Sequence, residues 1–266
     1  MTTHQNSLEK LPPRLELPGL GSFALLLLAL VLVYSANSVG LSLSQLVNGL
    51  PDIRRIIGEM FPPDFQRFDR IAAALLETFQ MALVGTTLGI VGSFFLAMLA
   101  SRMHSPHPSL YAVARGLVSL FRTVPDLVWA LLFVVAVGLG PFAGTLAIMI
   151  DTVGFCGRFF AEAMEEAQCG PQEALRAIGA RRLDVIFCSV VPAAMPSFVN
   201  SALFSLEKAT RSSVILGLVG AGGIGIELKV AMDLFQYKQA ATAILAIFIL
   251  VIAVEQLSGA VRRRVI

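Results

Sequence analysis

The sequence predicts an all-α integral membrane protein with about six transmembrane helices, on three observations. Hydrophobic residues make up 56% of the chain and charged residues 14%, well below the roughly 25% charged content of soluble domains. Charge-free windows recur at Leu17 to Pro51, Thr78 to Ser101, Leu127 to Ile150, Val185 to Leu206 and Gln239 to Val254, and a helical crossing needs about 20 apolar residues. The windows are continuously apolar and rich in Leu, Ala, Gly and Ile, whereas a membrane β-barrel needs polarity alternating over segments of about ten residues.

In chain order, the first element is a span over Leu20 to Val39. Its Leu25-Leu26-Leu27-Leu28 run has the look of a signal-peptide core, but it begins beyond residue 20 and lacks a small-x-small cleavage pattern before Asn37, so it is read as a transmembrane helix. Leu41 to Met60 carries apolar residues at roughly helical spacing and ends at Pro62-Pro63. It is either a helix lying on the outer membrane face or a packed connector. Further spans are read at Ile71 to Ser101, Thr123 to Leu139, Gly144 to Met164, Val185 to Leu216 and Lys238 to Ala260. The chain is thus organised as residues 1–40, an N-terminal tail and first helix; 41–70, an extracytoplasmic amphipathic connector; and 71–266, the main bundle, with a polar loop near 165–185. Pro192 and Pro196 stand one turn apart in the fifth span, and each removes a backbone donor, so a kink is expected there. It either transmits motion or is a fixed packing bend.

Orientation follows from where the cations lie rather than from the net charge of +2. A cytoplasmic N-terminus puts Lys10, Arg14, Arg102, Arg115, Arg122, Arg176, Arg181, Arg182 and Arg262-Arg263-Arg264 inside, as the positive-inside rule requires. The opposite connections balance their charges: Arg54, Arg55, Arg67 and Arg70 lie among Asp52, Glu59, Asp64 and Asp69, and Lys229 and Lys238 among Glu227 and Asp233. Both termini and the polar insert are therefore expected on the cytoplasmic side.

That insert, Cys169 to Asp184, is the one polar, helix-prone break in the apolar pattern. Pro171 opens a helix, Glu173, Ala174, Leu175, Ala177 and Ile178 continue it, and Gly179 stops it. A helix of about two turns is marginal alone in water, so it must be held by its own bundle and by a partner's groove. Small Ala174 and flexible Gly179 permit close approach, and Glu173, Arg176, Arg181 and Arg182 supply charge contacts around them. An ordinary solvated loop is the alternative.

Glu173-Ala174, then Gly179, then Pro192 resembles the EAA motif of binding-protein-dependent ABC importer permeases, E-A-A, three residues, G, nine residues, I-x-L-P. Leu175 replaces the second alanine, and Ser189 and Val191 stand at the isoleucine and leucine positions. FPPDF at Phe61 to Phe65, ETFQMALVGTTLG at Glu77 to Gly89, FRTVPDLVWALLFVVAVGLGPFAG at Phe121 to Gly144 and VILGLVGAGGIG at Val214 to Gly225 extend the likeness over nearly everything after about residue 40. Together they resemble the phosphonate-type permeases, the PhnE family. The resemblance implies a type I importer (MetI-like) permease core with an extra N-terminal helix, in a bacterial plasma membrane. It further implies two permease subunits as a homodimer, two cytoplasmic ATPases that use ATP and Mg, and an extracytoplasmic binding protein. Glu173, Ala174, Leu175, Arg176, Gly179, Arg181 and Arg182 would couple to the ATPase, and the chain would bind no nucleotide, cofactor or nucleic acid itself.

Gly220-Ala221-Gly222-Gly223-Ile224-Gly225 formally satisfies G-x-G-x-x-G, but it follows an apolar span with no βαβ alternation, which argues against a dinucleotide site. Gly220, Gly222, Gly223 and Gly225 serve either close helix packing or an irregular gate or hinge segment bordering a cavity. Glu207, Lys208 and Arg211 are the costly residues of the fifth span, since Lys or Arg at a helix centre costs roughly 2.5–3.5 kcal/mol. Glu207 and Arg211, four apart, are placed to pair. Lys208 and Arg211 either guide an anion along the conduit or are neutralised by Glu207, Asp151 or Asp126 to fix packing. Asp151 and Arg158 share a face at seven residues, too far for an assured pair.

Cys156, Cys169 and Cys188 have no paired spacing or neighbouring histidines, so neither a disulfide framework nor a metal site is expected. His4, His104 and His107 lie in a tail and a loop, and no H-E-x-x-H motif occurs, which argues against an intramembrane enzyme. The function expected is import of a phosphonate or a related anion such as phosphate or phosphite; a passive channel or secondary carrier is the alternative class.

Overall fold

A computed structural model describes residues 20–265, and every regular element among them is helical. Lys10, Arg14 and His4 lie outside the described residues. The chain divides into two units, between Arg55 and Ile56.

In the first unit, α1, Leu20–Ser38, carries no charged residue; at 1.5 Å per residue it is about 28 Å long, close to the hydrocarbon thickness of a bilayer. Helix α2, Leu43–Met60, begins here and runs into the second unit, with Pro51 inside it. Its apolar Leu46, Leu50, Ile53 and Ile57 recur at spacings of three and four and so form one stripe, the amphipathic helix expected from the connector.

The second unit is a helical bundle. Its elements are α3 (Phe68–Ala100), α4 (Pro108–Thr123), α5 (Asp126–Val137), α6 (Pro141–Glu165), α7 (Cys169–Ala177), α8 (Arg182–Val185), a π-helical turn Ile186–Val190, α9 (Val191–Leu218), α10 (Ile224–Asp233) and α11 (Tyr237–Val265). Helices α3 and α6 form the most extensive pair, and small residues make it possible. Gly85, Gly89 and Gly92 face α6 at successive turns, and a Cβ on Gly89 would lie 2.5 Å from Cβ of Thr152. Ser93 closes the contact, its hydroxyl donating to the carbonyls of Gly89 at 2.7 Å and Thr152 at 3.2 Å. In a membrane, where apolar side chains gain little from leaving lipid, such close packing and interhelical hydrogen bonding hold helices together. Below this seam, Phe160, Met164, Val190 and Phe198 join α6 to α9 in a buried cluster.

One sequence expectation changes. The span read at Thr123 to Leu139 is instead α4 and α5, bent by 92° at the break between them. Pro125 has no N–H and disfavours helical geometry at the residue before it; Val124 is accordingly extended, with φ −78° and ψ 123°. Helix α5 alone, 12 residues, is about 18 Å long, too short to cross. Among the described residues, five helices are long and apolar enough to span, or six if the bent pair counts as one. The helix is not interrupted at Pro192 and Pro196, and Arg182–Leu218 runs on as one 37-residue helical stretch. The irregularity sits ahead of Pro192 as the π turn, where Val191 N–H donates to the Ile186 carbonyl, five residues back.

Candidate functional site

The polar insert folds as α7, held from below and open above. Gln172 is its buried anchor, 2% exposed, its Nε2 donating to the carbonyls of Ala167 and Gln168. Glu173, Ala174, Arg176, Ala177 and Ile178 are exposed and Leu175 is half-buried. Two large apolar side chains stand exposed in this polar segment, Ile178 at 80% and Leu183 at 61%. Helix α7 ends at Gly179, whose φ is +83°. The Ala180 N–H donates to the Leu175 carbonyl and the Gly179 N–H to that of Arg176, both at 3.0 Å, a Schellman closure that needs a left-handed residue. The next turn is fixed as tightly: Arg181 N–H donates to Asp184 Oδ2 at 3.1 Å. Gly179→Val places a β-branched residue in that left-handed position. We expect it to leave the bundle inserted while reducing ATPase co-purification and uptake severalfold; unchanged co-purification would count against α7 as the docking helix.

The platform under α7 was not singled out in the sequence. Glu165, at the end of α6, accepts from the Arg102 N–H at 2.6 Å and from Arg115 Nη2 at 3.1 and 3.2 Å, so one carboxylate joins α6, α4 and the α3–α4 loop. In that loop His104 is buried, its Nδ1 2.9 Å from the Ser101 hydroxyl. Burial pushes the His104 pKa below the usual histidine value, and the charges of Arg176 and Arg182 push the same way, against the Gln172 side chain and Glu165.

Among the charged residues of α6 and α9, Lys208 takes Asp151, one of the partners open to it in the sequence. Lys208 Nζ lies 2.8 Å from both carboxylate oxygens of Asp151 and 5.7 Å from the centre of the Phe155 ring. The expected Glu207–Arg211 pair does not form. Glu207, with 12% of its side chain exposed, meets Arg262 of α11 at 3.1 Å, because α11 packs on the face of α9 that carries it. Arg158 pairs within its own helix with Glu162 at 2.8 Å. Asp126 accepts from the adjacent Leu127 N–H at 2.9 Å and pairs with no cation among the described residues. Arg211 is exposed and has no ionic partner among the described residues.

The glycine string is an irregular link between α9 and α10, with positive φ at Gly220, Gly222 and Gly223. Its backbone groups are satisfied by side chains and by a neighbouring turn. Gly223 N–H donates to Glu77 Oε1 at 3.0 Å, Ile224 N–H to Thr78 Oγ1 at 2.7 Å, and Gly140 N–H to the Gly220 carbonyl at 3.0 Å. Non-helical backbone at membrane depth requires such partners. Thr78 opens the second charge-free window and Glu77 stands just before it, so both could have been suspected as polar residues at its edge. Gly217 and Gly225 bring α9 and α10 together: a Cβ on Gly225 would lie 2.1 Å from the Val214 carbonyl oxygen. Helices flank this link on both sides. Glu77→Ala strands the Gly223 N–H, and we expect it to cost about 1–3 kcal/mol, read as a lower melting temperature of the purified chain.

The chain is 40% identical over 223 residues to the phosphite transport system permease protein PtxC of Stutzerimonas stutzeri, covering 84% of this chain and 81% of that protein. It is 39% identical over 212 residues to the phosphate-import permease protein PhnE of Mycolicibacterium smegmatis, 79% of this chain and 40% of that one. In fold it matches a chain of the MetNI methionine ABC transporter in an inward-facing conformation with a TM-score of 0.63 at 23% identity, covering 74% of this chain and 96% of that chain. Residues 89–266 match the binding-protein-dependent transport system inner membrane components, and the chain belongs to that family of multi-pass permeases.

Proposed function

We propose that this chain is the permease subunit of an ATP-driven importer of phosphonate or a related phosphorus oxyanion such as phosphite or phosphate. The observation that carries the reading is mechanical. Helix α7 is displayed on a braced platform and is followed, after a four-residue link, by an unbroken helical stretch from Arg182 to Leu218 that leads directly into the glycine link. A partner gripping α7 therefore has a stiff lever to the far end of the bundle.

Two ATPase subunits, using ATP and Mg, would seat α7 through Glu173, Ala174, Leu175, Arg176, Gly179, Arg181 and Arg182. Their closure would swing α8 and α9 of two identical permeases as that lever, Pro192 and Pro196 transmitting the motion and the Gly220 to Gly225 link absorbing it. An extracytoplasmic binding protein would deliver the anion. Cytoplasmic termini in an inner membrane agree with the distribution of Arg and Lys. Of the candidate conduit residues, Arg211 has its charge free, whereas Lys208, Asp151 and Glu207 are paired.

ATP-dependent uptake in proteoliposomes holding this chain, its cognate ATPase and its binding protein tests the proposal, with labelled phosphonate, phosphite and phosphate compared. Uptake of one anion that needs both ATP and binding protein is the expected result. Uptake that needs neither would make the protein a channel or secondary carrier.

A further inference from the structure

Three side chains beneath α7 fix one another's hydrogen-bond roles. Nε2 of Gln172 donates to the carbonyls of Ala167 and Gln168, both at 3.2 Å. Carbonyl oxygens can only accept, so the orientation of the Gln172 amide is set and its Oε1 is left as an acceptor. That oxygen and Nε2 of His104 are both buried and have no other partner. The Gln172 side chain also acts to raise the His104 pKa, the effect of an acceptor on a ring N–H. Nε2 therefore carries the proton of the neutral ring. Nδ1 then holds a lone pair, and the Ser101 hydroxyl, 2.9 Å away, donates to it. Ser101 is the C-cap of α3 and is fully buried, so a continuous hydrogen-bonded chain runs from the end of α3 through the ring to α7.

We propose that His104, as its neutral Nε2–H tautomer, is the residue that positions α7 against α3, and that a proton gained at Nδ1 releases the helix.

A proton at Nδ1 forces the Ser101 hydroxyl to turn from donor to acceptor and places a full charge on a ring that is 3% exposed. The charged groups that reach the ring are Arg176 of α7 and Arg182 of α8, which repel that charge, and Glu165 of α6, which attracts it but is already paired with Arg115. Lifting α7 carries Arg176 away and admits water, so the released state takes the proton more readily. The sign follows from linkage. Because the seated ring has its pKa below the ordinary histidine value of about 6.5, the seat holds fully above that pH. It weakens as the pH falls below it, by up to about tenfold per unit until the lowered value is reached. The consequence for transport rests on the reading of α7 as the ATPase-docking helix: acidification on that side of the membrane would uncouple the motor from the bundle. The latch itself does not rest on it.

The test begins with solid-state NMR of the full chain, labelled with ¹⁵N-histidine, in lipid bilayers. The neutral His104 ring should carry its proton on Nε2 and should titrate below about 6.5. Hydrogen exchange of the α7 amides, corrected for its intrinsic pH dependence, should then rise severalfold between about pH 7 and about pH 5.5. In His104→Gln, which keeps a donor and an acceptor but has no proton to gain, that rise should vanish; a merely structural role would shift the level of protection and leave its slope. A neutral ring protonated on Nδ1, a titration at or above the ordinary value, or a wild-type slope in His104→Gln overturns the proposal. If His104→Gln fails to fold, the tautomer and titration of the wild-type ring decide it. Co-purification of the cognate ATPase is measured at the same two pH values and should fall with the protection of α7. A latch that opens while co-purification is unchanged would stand as a latch and overturn α7 as the docking helix.

Discussion

Gly225→Val is expected to abolish accumulation of folded permease. The Cβ it adds falls 2.1 Å from the Val214 carbonyl oxygen and 2.8 Å from Gly217 Cα. Both are backbone atoms of α9, so no rotamer change relieves the clash, and α10 must move away from α9 or the glycine link must unfold. Moving α10 would in turn pull Gly223 and Ile224 from Glu77 and Thr78, stranding two donors. Overpacked cores usually lose about 1–3 kcal/mol, and this site adds the loss of hydrogen bonds to the steric term. Gly116→Ala is the matched control: it lies in α4 with nothing within 4 Å of an added Cβ, and exchange of an exposed helical glycine for alanine gains up to about 1 kcal/mol. The measurement is monodisperse yield and melting temperature in detergent. A Gly225→Val protein that melts with the wild type would mean that the α9–α10 crossing is not the tight contact described.

The same residues show what the sequence made legible. Apolar windows located the long helices to within a few residues, because the bilayer imposes their length on the chain. The end of α7 was legible for a local reason, since only glycine suits the left-handed position at Gly179. The α4–α5 corner was hidden because hydropathy hardly changes across Val124 and Pro125; the signal was the proline's missing donor, which an apolar-window reading ignores. The ionic partners were least legible. Glu207 and Arg211 satisfy the spacing rule within one helix, yet the pair that forms depends on which neighbouring helix carries a cation to the same level, and here Arg262 lies 55 positions away in sequence. Likewise His104 and Gln172 acquire a role only when the α3–α4 loop is folded beneath α7. No periodicity records that meeting.

Asp151→Asn should lower stability through Lys208 rather than through any contact of its own. Removing one member of a buried pair typically costs about 3–5 kcal/mol; with 37% of the Lys208 side chain and 16% of that of Asp151 exposed, solvent screens the remaining charge, and about 1–3 kcal/mol is expected. Adding Lys208→Gln should restore most of the loss, because two neutral side chains can hydrogen-bond where a lone cation could not be accommodated. That recovery, read from melting temperatures of the two single variants and the double, is the coupling energy of the pair. Transport then separates packing from conduction. The double variant should keep uptake near the wild-type rate, whereas Arg211→Gln, with folded yield unchanged, should slow it by about tenfold, since its charge is available to an anion in a low-dielectric path. If the restored double variant folds but fails to transport while Arg211→Gln transports normally, the roles are reversed: Lys208 would meet the solute by leaving Asp151 during the cycle, and the 2.8 Å pair would belong to one conformational state only.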